Sequence, residues 1–386
     1  MKTHFCTRCY KKTRVLSTKP PYDREWNMQN KCKTVLHGNK RISPAEMFER
    51  MAEWCRENNV EHDIYGQGEL IQAFEQKVAD LLGFEAGLFV ITGTMTQPTA
   101  LQIACQEKQS ANVAMHPTSH VYLHERQGYQ LQQRFNVLPV GEPYQPWTVE
   151  HLEAITDPLA AVLYELPMRE IGGQLPEFEH LQAVKDYCAN HNFHLHMDGA
   201  RVWEAAAWYQ KSYQEIAQGF HSAYVSMYKG VNGLGGAMLL GDKSFIRQAD
   251  TWMKRQGGNV WHRTPYVVAA MMQFDERIAA MPALFERTKQ LYTQFGEFPL
   301  FTLNPTAPQA NMLHIYLPLS ESQAKVLRDE LAEEHSIWIG NPQQAALPEQ
   351  SFLEWYVGDL LLNMEDELLH QTLRTIHSAI AAKLTP

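Results

Sequence analysis

Apolar positions along this chain follow two periods, and the places where one gives way to the other mark its elements. Over residues 69–82, Ile71, Phe74, Val78, Leu81 and Leu82 recur at helical spacing on one face, and Gly83 supplies the stop. An earlier helix is predicted to open at Ser43-Pro44-Ala45-Glu46. Ser43 can cap it, Pro44 suits its first turn, and Glu46 can reach back to complete a capping box. Short apolar runs then appear at 87–91, 160–166, 193–197, 223–227 and 236–240, with helical segments between several of them. Near-continuous apolar strands alternating with helices predict a parallel or mostly parallel sheet covered on both faces.

After about residue 275 the pattern changes. A helix near 282–294, a strand at 312–317, a helix at 321–333, a strand at 352–357 and a terminal helix from Glu365 predict a smaller α+β unit. The fold class expected is therefore α/β: a mostly parallel central sheet covered by helices, with a smaller α+β C-terminal domain. Its divisions are an irregular leader over 1–42, containing Pro20-Pro21 and many cations, a large domain over 43–275 and a small one over 276–386. The chain has no internal repeat.

Composition narrows the function classes. A chain of 386 residues suits roughly two to three domains. A formal net charge of −9 argues against a general nucleic-acid binder, which would carry a basic face. No apolar stretch reaches the length of a membrane span, and the polar, basic N-terminus lacks the apolar region of a secretory signal. Six scattered cysteines are no disulfide framework, so a reducing cytoplasm is the expected compartment. Cys6-Thr7-Arg8-Cys9 has metal-ligand spacing, but the second close pair of a zinc site is missing, so no metal is assigned.

Candidate chemistry gathers at the ends of the predicted strands, where such sheets bind ligands. Lys229 follows one apolar run, and a glycine-rich stretch, Gly230 to Gly236, follows it. A lysine desolvated there has a lowered pKa and can act as a nucleophile, although a surface lysine fits the same letters. Asp198 closes a segment in which Phe193, Leu195 and Met197 face one way and His194 and His196 the other. It can serve chemistry, cap the following turn, or form a structural ion pair with Arg201. A lysine and a carboxylate so placed are the pair that a pyridoxal phosphate (PLP) enzyme requires. The amine forms the Schiff base, and the carboxylate keeps the pyridine nitrogen protonated. Gly93 and Thr94 open a predicted helix whose N-terminus can bind phosphate, or Thr94 and Thr96 are caps only. His120 and His124 flank Tyr122, and either histidine can stack on a ring, move protons, or simply pack.

Together these stretches resemble the threonine aldolase/β-eliminating lyase family of fold-type-I PLP enzymes. The resemblance runs from about Asp63 to Asn311. It is carried by Asp63-Ile64-Tyr65-Gly66, Leu88-Phe89-Val90-Ile91-Thr92-Gly93-Thr94-Met95, Ser119-His120 with Glu125, His196-Met197-Asp198-Gly199-Ala200-Arg201, and Tyr228-Lys229-Gly230. The resemblance implies that Lys229 holds PLP, that Asp198 pairs with the pyridine nitrogen and that Arg201 approaches the ring hydroxyl. It further implies that Gly93 and Thr94 hold the phosphate and that His120 stacks over the ring. Tyr65, Glu125 and the Gln256-Gly257-Gly258 loop with Arg263 match segments that come near the cofactor, the substrate or a neighbouring subunit. A homodimer or homotetramer is implied, because the family builds its sites between subunits.

The departures concern the substrate. Where threonine aldolases usually carry Glu-Asn-Thr-His-Asn-Arg before Gly-Gly, this chain reads Glu165-Leu166-Pro167-Met168-Arg169-Glu170-Ile171-Gly172-Gly173. The family's histidine falls on Met168 and its carboxylate-clamping arginine on Ile171 or Glu170, with Arg169 adjacent. The neighbourhood of Glu354 and Trp355 replaces a second arginine. Since a guanidinium fork grips a carboxylate bidentately, Arg169 is the candidate to compensate. The expected function is a PLP-dependent lyase on an amino acid, either threonine-aldolase-like or β-eliminating, with Lys229, Asp198 and His120 as its catalytic residues. Rival readings are an aminotransferase or decarboxylase of the same fold acting on an amino acid or amine, or a PLP-binding protein with little catalysis.

Overall fold

The computed structural model describes residues 21–384. Seven strands form the central sheet: β1 (Ala86–Val90), β2 (Asn112–Met115), β3 (Asn136–Pro139), β4 (Ala161–Glu165), β5 (His194–Gly199), β6 (Ser222–Ser226) and β7 (Ala237–Gly241). Their order is β1-β7-β6-β5-β4-β2-β3, and every neighbouring pair is parallel except those made by β7, which runs against both β1 and β6. The expected mostly parallel sheet is thus present. The patterns missed β2 and β3, four-residue strands too short to show a period.

Alternation along the strands explains the two-sided burial. Phe89, Val162, Leu195, Met197, Val225 and Met238 enter the largest apolar cluster on one face. That face is covered by α2 (Glu69–Leu82), α4 (Phe178–Asn190) and α6 (Thr264–Phe295), the helices taking their numbers from chain order with α1 at Pro44–Glu57, α3 at Gly93–Lys108 and α5 at Lys243–Arg255. The opposite face packs on α3 and α5 through Leu88, Val90, Leu239, Ile103 and Phe245. His194 and His196 point to that second face, as the alternation required. Both share a hydrogen bond with the Ser222 hydroxyl at 2.7 Å, which satisfies polar atoms that burial would otherwise leave costly.

Local signals set several ends. Ser43 Oγ accepts from the Glu46 N–H at 3.1 Å, so the Ser43 half of the expected capping box is made. Gly83 closes α2 in the left-handed conformation at φ 77°. The helix expected near 282–294 is the second half of α6, which runs for 32 residues with Pro282 inside it. Residue 275, where the sequence pattern changes, therefore lies within a continuous helix. One long helix can serve both parts because its buried face simply changes partner along its length.

Beyond α6, strands β8 (Thr302–Asn304), β9 (Met312–Leu317), β10 (Gln343–Gln344) and β11 (Ser351–Tyr356) form an antiparallel sheet ordered β10-β11-β9-β8. Helices α7 (Glu321–His335) and α8 (Asp366–Leu384) accompany it. Of the segment expected to be irregular, Pro21–Gln29 is helical, and Thr34–Val35 pairs in parallel with Ile337–Trp338. A two-residue strand leaves no readable period, which is why the sequence hid it. Cys6 and Cys9 lie outside the described residues. Among the described residues, no helix is long and apolar enough to cross a membrane.

Candidate active site

The parallel register places the candidate groups side by side. Asp198 near the end of β5 is paired with Glu165 at the end of β4 and with Tyr224 on β6, and Lys229 lies three residues beyond the end of β6. Opposite them the N-terminus of α3 begins at Gly93, where the first N–H groups have no partner within the helix. A side chain cannot replace hydrogen at Gly93, because a Cβ would stand 2.4 Å from the Tyr224 hydroxyl. Thr94 is exposed in that first turn, open to an anion.

Asp198 is buried, yet both of its oxygens are held. The Ala200 N–H donates to Oδ1 at 3.1 Å, and Gln97 Nε2, one helical turn after Gly93, donates to Oδ2 at 2.8 Å. Gln97 Oε1 is buried with no hydrogen-bond partner among the described residues. The glutamine was not among the expected site residues, although its i+4 spacing from Gly93 put it on the same helix face.

Lys229 is held down to about 8 by burial, with the Arg201 guanidinium adding to the effect against Asp198 and Glu165. About a tenth of its amine is thus neutral, and nucleophilic, at pH 7, far more than an ordinary lysine would offer. A depressed lysine alone does not mark a site. Burial also brings Lys185 down to about 8, but its Nζ donates to the Ile216 carbonyl at 2.9 Å and lies over the rings of Phe178 and Phe220. What sets Lys229 apart is the company of Asp198, Glu165 and Arg201.

Carboxylates dominate the surroundings. Glu165 is pushed up to about 7 by burial and by the neighbouring Asp198, and its Oε1 accepts the Arg169 backbone N–H at 3.0 Å. Glu125 is raised by burial against the pull of His120, whose Nδ1 lies 3.3 Å from Glu125 Oε1. The His120 ring is half-buried and 5.3 Å from that of His124. His124 in turn bonds Glu170 at 2.8 Å.

Arg169 is not a free fork. Its Nε and Nη2 donate to Glu354 Oε1 at 3.2 and 3.1 Å, and Nη1 donates to Glu170 at 3.0 Å. Glu354 comes from β11, opposite His314 of β9, while Trp355 turns inward and donates to the Ile339 carbonyl at 2.7 Å. Burial opposes the charge on Glu354, but His314, Arg169 and Arg201 outweigh it and bring its pKa down to about 2. Each terminal nitrogen of Arg169 has two N–H donors, so one on each remains for a further acceptor.

Tyr65 stands apart from this cluster. It occupies a tight turn in which Asp63 accepts from the N–H groups of Gly66, Arg263 and Thr264, all at 2.7 Å. The Tyr65 ring lies edge-on to Trp261 at 4.8 Å and is 42% exposed. Arg263 is buried behind it and donates to the Phe89 carbonyl. Gln256 bonds Thr99 of α3, which fixes the Gln256-Gly257-Gly258 loop against that helix.

A family model described as β-eliminating lyase matches residues 43–317. Among curated proteins, the chain is similar to the low-specificity L-threonine aldolase of Saccharomyces cerevisiae, with 28% identity over 54% of this chain and 56% of the yeast protein. It is also similar to the low-specificity L-threonine aldolase of Escherichia coli K12, with 24% identity over 72% of this chain and 90% of that one. Among solved structures, a Listeria monocytogenes protein assigned as an L-allo-threonine aldolase shares 34% identity at a TM-score of 0.86, covering 94% of this chain and 99% of its own. The serine palmitoyltransferase of Sphingomonas wittichii, at 13% identity and a TM-score of 0.66 over 88% of this chain and 84% of its own, shares the fold.

Proposed function

This chain belongs to the β-eliminating lyase family, and from that premise we propose that it is a PLP-dependent lyase of threonine-aldolase type, cleaving a β-hydroxy amino acid. The observation that carries the reading is the placement of Lys229, with its pKa down at about 8, beside Asp198 and across from the free N–H groups of α3. These groups fit the cofactor's three demands: an amine for its aldehyde, a carboxylate for its ring nitrogen, and an anion site for its phosphate. When bound, PLP supplies an electron-accepting ring that stabilises charge left on the substrate after bond cleavage.

The protein's own groups have separate tasks. Lys229 would provide the amine, and Asp198, fixed by Ala200 and Gln97, would pair with the ring nitrogen. Gly93 and Thr94 would hold the phosphate, Arg201 would pair with the ring hydroxyl, and His120 would pack against the ring. His120 with Glu125 is the pair to take the β-hydroxyl proton from the substrate, since Glu125 Oε1 lies 3.3 Å from His120 Nδ1 and burial raises the proton affinity of that carboxyl. Arg169 offers its remaining N–H donors to the substrate carboxylate. Tyr65, with the exposed apolar side chains Ile64, Tyr228, Leu234 and Trp261, supports an oligomer that covers this end of the sheet.

The test is turnover without a partner keto acid. Incubated with threonine or allo-threonine, the purified protein is expected to release glycine and acetaldehyde. Activity that appears only when a keto acid is added would instead make it an aminotransferase. The carboxylates that hold Arg169, Glu354 and Glu170, favour a second reading, an aminotransferase of the same fold acting on a cationic amine substrate. Arg169→Ala separates the two. If Arg169 grips the carboxylate, the variant raises KM for amino acids about a hundredfold, because a charged hydrogen bond is worth about 1.5–3 kcal/mol. Amino acids and their decarboxylated amines perturbing the cofactor spectrum with equal affinity in the unaltered protein would remove that role.

A further inference from the structure

Beside Lys229 lies a cavity of 180 Å³ whose walls reach past the groups given roles above to the second sheet. Its walls include Lys229, Arg201, Glu204, Asn311 and, from α6, Met281 and Leu284. Glu204 is only 5% exposed and Asn311 only 7%, yet Glu204 Oε2 and Asn311 Oδ1 have no hydrogen-bond partner among the described residues. Two buried acceptors left open on one cavity are costly unless a donor reaches them. Glu204 is also pressed against the lysine's own loop, since a Cβ on Gly230 would stand 2.8 Å from Glu204 Oε1. The glycine after Lys229 is therefore what allows the carboxylate to come so close.

We propose that Glu204 is a positioning residue for Lys229: it is the proton partner of the Lys229 amine, and the cavity is the space in which the two meet. When a substrate amine takes the lysine's place on the cofactor, one nitrogen–carbon bond forms and the lysine's own breaks. The proton lost by the incoming ammonium then has to follow the departing amine. Glu204 receives that proton and returns it, so no electron or net proton is gained or lost, while Asn311 Oδ1 accepts a second N–H from the released lysine. The inference rests on the PLP reading of Lys229.

The electrostatics agree with the geometry. Burial holds Glu204 up to about 7, against Arg201 and Lys229, which pull it down. Lys229 is held down to about 8. The two groups therefore change charge within one narrow range around neutrality. The other groups facing Glu204 are Tyr213, whose hydroxyl burial pushes above the usual range with Glu204 adding to the effect, and Tyr228, which shares the cavity wall with Lys229. Met281 and Leu284 of α6 bring no charge.

The measurement is capture of added PLP by the full-length protein freed of its cofactor, read against pH by borohydride reduction and the mass of the Lys229 peptide. In Glu204→Gln the negative charge is gone and the ammonium is less favoured, so the midpoint of capture is expected to fall by about one pH unit. Glu204→Asp, which restores the charge, is expected to bring it back toward the parent value. If the Gln variant does not fold, the unaltered protein decides alone: acylation of Lys229 against pH is expected to show two inflections, and a single one overturns the proposal. A Gln variant that captures PLP with an unmoved midpoint overturns it as well. Failure of Lys229 to capture PLP at every pH would instead defeat the function proposed above.

Discussion

Lys229→Ala is expected to abolish the covalent hold on PLP and to lower lyase activity by about four orders of magnitude or more, the scale on which losing an essential nucleophile acts. The parent protein should be yellow, and borohydride should fix the cofactor on the Lys229 peptide. The variant should leave no reduced adduct on any peptide, although the proposed phosphate site at Gly93 and Thr94 is untouched and free PLP can still bind weakly. Folding should survive, because the side chain removed is one whose charge burial already disfavours. Lys185 is the internal control, being brought down to the same value yet bonded to a backbone carbonyl away from any carboxylate cluster. An adduct on the Lys185 peptide, or unaltered activity in Lys229→Ala, would defeat the assignment.

Asp198→Asn is expected to leave PLP capture intact and to slow turnover by about a hundred- to a thousandfold, the usual cost of removing an aligned charge from a reacting centre. The substitution is unusually clean at this position. The introduced asparagine keeps an oxygen for the Ala200 N–H, and its new N–H group can meet Gln97 Oε1, which has no partner in the parent, once the Gln97 amide turns over. Hydrogen bonds are conserved and only the charge is lost. The matching readouts are the yield of the borohydride adduct, expected unchanged, and the single-turnover rate, expected to fall. A variant within about twofold of the parent rate would show that the ring nitrogen does not depend on Asp198.

The two residues behind these experiments were legible because both belong to local patterns. Strand periodicity put Asp198 on the face opposite Leu195 and Met197, and the end of an apolar run put Lys229 where β strands hand over to loops. Gly93 and Gly83 were legible for the same reason, each answering a conformational or steric demand of its own turn. His120 and Glu125 lie five residues apart, and the structure does bring them together. The family's motifs joined these fragments into one site, in the order in which the strands carry them.

What the sequence by itself determined, then, is the layered α/β architecture, the mostly parallel sheet and the lysine–aspartate pair, because each is encoded by periods and turn residues only a few positions apart. The tertiary structure alone decided what surrounds Arg169 and Lys229. Arg169 is held by Glu354 from 185 positions away, and Asn311 is brought to the cavity that Glu204 and Lys229 also line. No local period specifies which strand of a second sheet packs over a given loop. The pKa values follow the same division, since desolvation by distant chain, and not the identity of the residue, brings Lys229 down and holds Glu204 up.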